Sequence, residues 1–276
     1  MAVRVLWVVK GLGPGGAERL LAAAARAHDP ERVRLECAYV LPRKDHLVGA
    51  LESAGVLCTC LSERHGDPRW PAALRRLIRD GGFDVVHAHS PVPGSVARAA
   101  VRSMPRDVRP ALMSTEHNTW ARHRAPTRLL NAATSRWDEV TFAVSEETRS
   151  SISGRASRRA EVLTHGVDVA AVAAVRVDRG AVRAELGLAG DEIVIGTVAN
   201  MTRQKDYPNL LAAARRLVDY GVQARIVAVG QGPLEDEVRA SVRDMGLEGV
   251  VVLTGFRGDA VRLLAACDVF TLASAW

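Results

Sequence analysis

The chain has 276 residues, of which 48% are hydrophobic and 25% charged, and its formal net charge is +6. This length is enough for two domains with separate cores, and the positive charge favours an anionic partner. Aromatic residues make up only 4% of the chain and are not interleaved with basic ones, which argues against nucleic acid as that partner.

Apolar runs that predict strands alternate with segments of helical periodicity along the chain. The strands are apolar on both faces and separated by helices, which predicts an α/β fold with parallel sheets covered on both sides. The alternation pauses near Gly166 to Gly190 and then resumes. The predicted strands are Val3–Val9, Leu35–Val40, Val56–Cys60, Asp84–His89, Ala111–His117, Val140–Ser145, Glu161–Thr164, Glu192–Ala199, Ala224–Gly230, Val250–Gly255 and Asp268–Ala273.

This pattern predicts two Rossmann-like domains. The first covers residues 1–168, a linker covers 169–190, and the second covers 191–276. We expect the second domain to be incomplete, because its last strand runs into the end of the sequence and no crossover helix follows it.

A glycine-rich loop follows the first strand and precedes the first helix. Gly11, Gly13 and Gly16 satisfy the G-x-G-x-x-G pattern of dinucleotide sites, so a nicotinamide-dependent oxidoreductase is one alternative. Such an enzyme needs an acidic residue at the end of the second strand to hold the ribose. The sequence has Val40-Leu41-Pro42 there, which weighs against that alternative.

Three histidines lie at the ends of two predicted strands. His87 and His89 alternate on one face, and His117 ends the following strand. Ligands of open parallel sheets bind at the carboxyl ends of the strands, so we expect these imidazoles to line a cleft. The further ligands that a metal site would require cannot be identified in the sequence, and a structural role for at least one imidazole is also expected.

The loop after the first strand of the second domain carries two cations, Arg203 and Lys205, and a helix is predicted to open at Asp206. Free N–H groups at a helix N-terminus and an ammonium charge together favour a bound phosphate. The alternative is a solvated loop lysine. Gly230-Gln231-Gly232-Pro233 forms a second loop of this type, and Gly255-Phe256 lies at the equivalent edge of the next strand.

Taken in order, these residues resemble the retaining glycosyltransferases of family 4, the group 1 glycosyl transferases, whose fold is GT-B. The similarity extends over nearly the whole chain. The matching stretches are Gly15-Gly16-Ala17-Glu18, the Asp84–His89 strand, Thr115-Glu116-His117, Phe142-Ala143-Val144-Ser145, His165-Gly166-Val167-Asp168, Lys205, Gly230-Gln231-Gly232-Pro233 and Gly255-Phe256.

The resemblance implies transfer of a sugar, with retention of configuration, from a nucleotide-sugar donor to an unidentified acceptor, which could be a glycan, a lipid-linked sugar or a small molecule. The first domain would hold the acceptor and the second the donor, facing each other across a cleft. It implies that His117 lies beside the transferred sugar and that Lys205, with Arg203, neutralises the diphosphate. The implied donor-binding residues are Gly15, Gly16, Asn200, Gly230, Gly232 and Phe256.

Two departures from the family pattern affect these expectations. The family usually has an arginine where this chain has Asn200, and Arg203 is the candidate to supply that charge. The family's carboxylate pair, E-x7-E, would begin directly after Ser274-Ala275-Trp276. We therefore expect a C-terminally truncated, inactive chain, and a non-catalytic nucleotide-sugar-binding fragment is the second alternative.

The remaining expectations concern cofactors, partners and location. Protein cations serve such enzymes in place of a metal, so we expect neither a metal nor a cofactor. No apolar run reaches the roughly 18 residues of a membrane span, and the N-terminus is typical of a core strand. A cytoplasmic protein is expected, and its net charge of +6 allows peripheral association with an anionic membrane.

Overall fold

The computed structural model describes residues 1–275 and divides the chain into two compact units. Unit 1 runs from Met1 to Val167, and unit 2 begins at Asp168. The division falls one residue before the predicted end of the first domain at 168. Within each unit, parallel strands alternate with helices, as the sequence pattern predicts.

Seven strands form the sheet of unit 1, and every neighbouring pair is parallel. They are β1 (Val3–Val9), β2 (Val33–Tyr39), β3 (Leu57–Cys60), β4 (Val85–Ala88), β5 (Ala111–Glu116), β6 (Val140–Ala143) and β7 (Ala160–Val162). Their order is β3-β2-β1-β4-β5-β6-β7. The strands β4 and β5 are therefore central neighbours, and their carboxyl ends lie side by side.

The helices of unit 1 connect these strands. They are α1 (Gly16–Ala27), α2 (Val48–Glu52), α3 (Trp70–Gly81), α4 (Pro91–Arg102), α5 (Ala125–Ser135) and α6 (Glu146–Ser151), with short 3-10 helices at Arg106–Val108, Trp120–Arg122 and Gly154–Arg159. In α3, Leu74 and Ile78 form the buried face at a spacing of four residues, and the helix ends at the left-handed Gly82.

Strand β1 shows how the sheet separates two cores. Leu6 and Val8 pack into one hydrophobic cluster, and Trp7 and Val9 pack into another. Successive side chains of a strand point to opposite faces, so an unbroken apolar run is the pattern that such a central strand requires.

Unit 2 has a smaller sheet of the same kind. Its strands are β8 (Ile193–Val198), β9 (Ala224–Val229), β10 (Val251–Gly255) and β11 (Val269–Phe270), in the order β10-β9-β8-β11. Its helices are α7 (Val169–Ala174), α8 (Arg179–Glu185), α9 (Tyr207–Asp219), α10 (Glu235–Asp244) and α11 (Ala260–Ala265), with a 3-10 helix at Arg203–Lys205. All three pairings between neighbouring strands are parallel.

The segment predicted as a linker at 169–190 differs from that prediction. It contains α7 and α8, and Val182 of α8 packs into the core of unit 2. The buried Arg183 donates to the carbonyl oxygens of Ala266 and Glu192 and to the carboxylate of Asp268. The second half of the segment therefore belongs to unit 2, because these contacts hold α8 against β8 and β11.

The eleven predicted strands are all present in the predicted order. Only β11 is much shorter than expected, since its pairing with β8 is limited to Val269 and Phe270. Within residues 1–275, no helix is both long enough and apolar enough to cross a membrane.

Candidate functional site

Three loops of unit 2 meet at one edge of its sheet. We call them the β8 loop (199–206), the β9 loop (230–234) and the β10 loop (256–259). Because β8, β9 and β10 are neighbours and parallel, their carboxyl ends bring the three loops side by side. The sequence predicted this convergence, and the strand order confirms it.

Backbone hydrogen bonds fasten these loops to each other. Gly230 N donates to Gly255 O at 2.9 Å, and Met201 N donates to Gln231 O at 3.0 Å. In return, Leu234 N donates to Met201 O at 3.2 Å. The loops thus form one connected rim, although they are far apart in the sequence.

Two glycines allow the β9 loop to lie against the β8 loop. A Cβ at Gly230 would be 2.1 Å from Ala199 O, and its φ of 146° is one that side chains rarely allow. A Cβ at Gly232 would be 2.4 Å from Met201 O. These glycines are explained by packing between the loops, whether or not a ligand also approaches them.

The N-termini of the adjoining helices carry carboxylates of their own. Asp206 caps α9 in a left-handed conformation, and its carboxylate accepts from Asn209 N. The first turn of α10 carries Glu235, Asp236 and Glu237. These carboxylates oppose the positive ends of both helix dipoles, so side chains are the stronger source of positive charge at this edge, and phosphate binding at the helix termini stays a prediction.

The predicted donor residues of unit 2 all lie on these loops. Lys205 ends the 3-10 helix of the β8 loop and is half-buried, whereas Arg203 and Asn200 are exposed. Phe256 begins the β10 loop, with 44% of its surface exposed. The structure therefore groups two cations, an aromatic ring and the Gly230 and Gly232 turn at one sheet edge, while their contacts with a donor remain a prediction.

In unit 1 the strand-end histidines form a connected cluster, which we call the histidine cluster (His87, His89, His117 and His165). The rings of His87 and His89 have centroids 4.1 Å apart, and His89 Nδ1 lies 3.4 Å from His117 Nε2. His165 stacks on His117 at 5.5 Å. His165 entered the sequence comparison only within a matching stretch, and its pairing with His117 was not predicted.

Burial keeps this cluster uncharged at neutral pH. Burial lowers the pKa of His87 to about 4, with a further contribution from His117. Burial also lowers the pKa of His117 to about 4, with His165 as the second cause. The pKa of His89 is well below its usual range for the same reason. The cluster can therefore offer hydrogen-bond donors and acceptors, but not cations.

A buried polar network supports the strand end that carries His117. Arg98 of α4 is only 1% exposed and donates through Nε and Nη2 to the two carboxylate oxygens of Asp138, at 2.7 and 2.6 Å. Its Nη1 donates to Asn131 Oδ1, and Asn131 Nδ2 donates to Glu116 Oε1 at 2.7 Å. Glu116 directly precedes His117, so the network fixes the position from which that imidazole projects.

The sequence contains a signal for this network that hydrophobic periodicity alone does not reveal. Arg98 lies on the buried face of α4, with Gly94 four residues before it and Val101 three residues after it. An arginine at such a position needs a buried acidic partner, because an unpaired charge in a protein core is strongly unfavourable.

The glycine loop of unit 1 packs against its own unit. A Cβ at Gly11 would lie 2.8 Å from Lys44 Cβ, and Leu12 N donates to Lys44 O at 2.6 Å. Gly16, in contrast, has no described atom within 4 Å of its Cβ position, and Gly15 is the N-cap of α1. Packing therefore accounts for Gly11, whereas the space beside Gly16 is open.

No metal-binding arrangement is present among residues 1–275: no group of three or more histidine, cysteine, aspartate or glutamate side chains is placed to hold an ion. The four imidazoles of the histidine cluster instead contact each other through their ring faces and edges.

Comparison with known families gives two matches that together cover most of the chain. The family model of Glycosyltransferase Family 4 matches residues 14–171. The model of Glycosyl transferases group 1 matches residues 178–276. The two matches correspond to unit 1 and unit 2.

Individual relatives agree with these matches. The chain is 26% identical over 285 residues to EpsF of Bacillus subtilis, a protein named for glycosyltransferase activity, covering 98% of this chain and 73% of EpsF. It is 26% identical over 220 residues to the UDP-Gal:alpha-D-GlcNAc-diphosphoundecaprenol alpha-1,3-galactosyltransferase of Escherichia coli. That match covers 74% of this chain and only 55% of the relative, so the chain spans about half of its length.

Among solved structures, HepE of Anabaena in complex with UDP and glucose aligns with a TM-score of 0.82 and 21% identity. The alignment covers 99% of this chain and 74% of HepE. At this identity the likeness shows the fold alone, and it confirms the predicted GT-B fold class.

Proposed function

We propose that this chain, which belongs to Glycosyltransferase Family 4, provides the binding surfaces for transfer of a sugar from a nucleotide-sugar donor to an acceptor with retention of configuration. Membership of the family supports the glycosyltransferase activity, and the donor, the acceptor and the stereochemistry are parts of the proposal. The E. coli relative is named for a UDP-galactose donor, so we propose a UDP-sugar here.

The observation that carries the proposal is the rim formed by the β8, β9 and β10 loops. Three strand ends that are distant in sequence are hydrogen-bonded together and present Lys205 and Arg203 beside an exposed Phe256. The crevice at the carboxyl ends of parallel strands is where open α/β sheets bind their ligands. In this proposal the cations receive the diphosphate and the turn at Gly230 receives the nucleoside.

The proposed reaction places charge neutralisation in unit 2. As the bond between the sugar and the diphosphate breaks, negative charge grows on the leaving phosphate oxygen. An ammonium group held beside that oxygen stabilises the developing charge, which is the usual effect of fixed cations on phosphate leaving groups. Lys205 is assigned this role, and Arg203 is assigned the part of the arginine that the family usually carries at Asn200.

The proposed role of His117 follows from its neutral state. With a pKa lowered to about 4, the imidazole is uncharged at neutral pH and acts through hydrogen bonds. We assign it to a hydroxyl group of the transferred sugar rather than to the diphosphate. Its partner His89 holds the ring through the contact of 3.4 Å between Nδ1 and Nε2.

For the acceptor, we propose a lipid-linked sugar at an anionic membrane surface. The E. coli relative is named for a diphosphoundecaprenol-linked acceptor, and a net charge of +6 is suited to anionic headgroups. The acceptor binds independently of the donor in this proposal, so the two parts can be tested separately.

Calorimetry with UDP tests the donor assignment. The chain should bind UDP in preference to NADPH, and Lys205→Ala should weaken UDP binding roughly tenfold or more, because a hydrogen bond to a charged group contributes about 1.5–3 kcal/mol. The matched control is Arg216→Ala, which removes an exposed cation from α9 in the same unit. UDP affinity within twofold of the unmodified chain after Lys205→Ala would remove this assignment.

A further inference from the structure

We infer that unit 1 carries a membrane-docking surface made by the loop 118–124 and helix α5, and that its partner is the surface of an anionic phospholipid bilayer. This inference rests on the proposed function, because a membrane-bound acceptor gives the surface its use. Its physical basis is separate, since it depends on charge and exposure in residues that have no part in donor binding.

The first observation is a local excess of positive charge. From His117 to Trp137 the chain has four arginines and no aspartate or glutamate. The acidic residues on either side, Glu116 and Asp138, are buried and belong to the polar network around Arg98. The positive charge of this segment is therefore not offset by carboxylates within it. The four arginines are Arg122, Arg124, Arg128 and Arg136.

Other arginine-rich helices of the chain differ in this respect. In α3, Arg79 pairs with Asp80 at 2.7 Å, and in α9, Arg215 pairs with Asp219 at 2.8 Å. Such pairs are typical of an ordinary solvated surface. Neither Arg124 nor Arg128 forms an ion pair within the part of the chain that the structure describes.

The second observation is apolar exposure at the same place. Leu129 is 69% exposed and Leu130 is 44% exposed. The opposite side of α5 is buried through Asn131, Thr134 and Ser135. The helix thus buries its uncharged polar side chains at Asn131, Thr134 and Ser135 and exposes its leucines, the reverse of a solvated helix. Exposed leucines flanked by arginines are the composition of a helix that lies in a membrane interface.

The surface is held firmly and lies near the candidate site. Trp120, within the loop, is only 2% exposed, and its backbone N donates to Ser151 Oγ at 3.0 Å. His123 Nε2 is 3.8 Å from Glu116 Oε2, and Glu116 directly precedes His117. A bilayer in contact with α5 would therefore be close to the carboxyl edge of the sheet of unit 1.

A second copy of the chain is a less suitable occupant. A symmetric dimer places the same patch on both sides of its interface, so arginines would face arginines without carboxylates to balance them. An anionic bilayer supplies both the negative headgroups for the arginines and an apolar layer for the leucines.

Vesicle co-sedimentation tests the inference with the full chain. The probes are vesicles of phosphatidylcholine alone and of equal parts phosphatidylcholine and phosphatidylglycerol. The unmodified chain should bind the anionic vesicles and release them as salt is added. Arg124→Gln with Arg128→Gln should weaken this binding roughly thirtyfold, since each basic residue near such a surface contributes about 1 kcal/mol.

The matched control is Arg75→Gln with Arg76→Gln, which removes the same charge from exposed positions on α3 of the same unit. It should change binding by less than about threefold if the effect is local rather than due to net charge. Leu129→Ser should weaken binding to anionic vesicles about tenfold, because the variant lacks the apolar side chain that would leave water on insertion into the bilayer.

Several results would overturn the inference: equal binding to neutral and anionic vesicles, equal losses in the α3 control, or no effect of Leu129→Ser. A chain that sediments as a dimer and becomes monomeric on Leu129→Ser would assign the surface to a second copy instead. Thermal melting of each variant establishes that it is folded. UDP affinity should be unchanged in all of them, so loss of membrane binding is distinguishable from failure of the donor assignment.

Discussion

The carboxyl edges of the two sheets present different chemical groups. In unit 1, the three strand-end imidazoles are kept neutral by burial, and a buried network anchored on Arg98 and Asp138 supports the strand end that carries His117. In unit 2, the cations Arg203 and Lys205 are exposed or half-buried, and backbone hydrogen bonds between loops fix their surroundings. This difference supports the proposal that unit 1 positions hydroxyl groups of the sugar and unit 2 receives the phosphate.

The largest effect should come from breaking the support of unit 1. Arg98→Met leaves the buried Asp138 carboxylate without its partner and should lower the free energy of unfolding by about 4 kcal/mol. Urea unfolding measures this change. The paired variant Arg98→Met with Asp138→Leu removes both charges and should recover part of the loss. A cost below about 1 kcal/mol for the single variant would contradict the role given to this pair.

Acid should destabilise unit 1 through the histidine cluster. The imidazoles of His87 and His117 have folded pKa values of about 4, below the 6.5 of an unfolded histidine. Between these values the unfolded chain binds protons that the folded chain does not, so stability falls as the pH decreases from 6.5 to 4. Each of the two groups contributes at most about 3 kcal/mol to this loss.

Urea unfolding across that pH range measures the effect. His87→Gln removes one titrating group and should make the pH dependence shallower. If the slope stays the same in His87→Gln and in His117→Gln, the cluster is not the cause of the acid sensitivity.

One added methyl group at Gly230 should disrupt the contact between the β8 and β9 loops in the rim of unit 2. Gly230→Ala places a Cβ against Ala199 O and forces a φ of 146° on alanine, so the β8 and β9 loops must move apart. We expect a stability loss of about 2 kcal/mol together with weaker UDP binding. Gly249→Ala is the matched control, because no atom of residues 1–275 lies within 4 Å of its Cβ position. Unchanged UDP affinity in a folded Gly230→Ala variant would separate the turn from the donor site.

The smallest effect should be that of His117→Ala on nucleotide affinity. If unit 1 contacts the sugar and unit 2 the nucleotide, UDP should bind within about twofold of the unmodified chain. A preparation that transfers sugar should lose turnover in the same variant. Loss of UDP binding with unchanged turnover per bound donor would reverse the assignment of the two edges.

Much of the fold follows from the sequence because the strands are strongly patterned. The run from Val3 to Val9 is apolar on both faces, and the structure places it as a central strand between two cores. The segment 169–190 was predicted less well, because Val182 and Arg183 contact partners some eighty residues later. Local periodicity contains no information about such distant contacts.

The sequence predicted the location of the candidate site better than it predicted which groups supply the positive charge there. Strand-end positions correctly grouped the loops of Lys205, Gly230 and Phe256. The sequence argument overestimated the contribution of the helix dipoles, because Asp206 itself caps α9. A side chain that caps a helix cannot be distinguished by sequence from one that leaves the helix terminus free for a ligand.

The central claim is that the donor nucleotide is held by the rim of unit 2. Amide hydrogen exchange, followed by mass spectrometry with and without saturating UDP, tests it most directly. We predict slower exchange in peptides from the β8, β9 and β10 loops, and no change in the peptides that carry His87 and His89. Saturated UDP binding that leaves exchange in all three loops unchanged would contradict the claim.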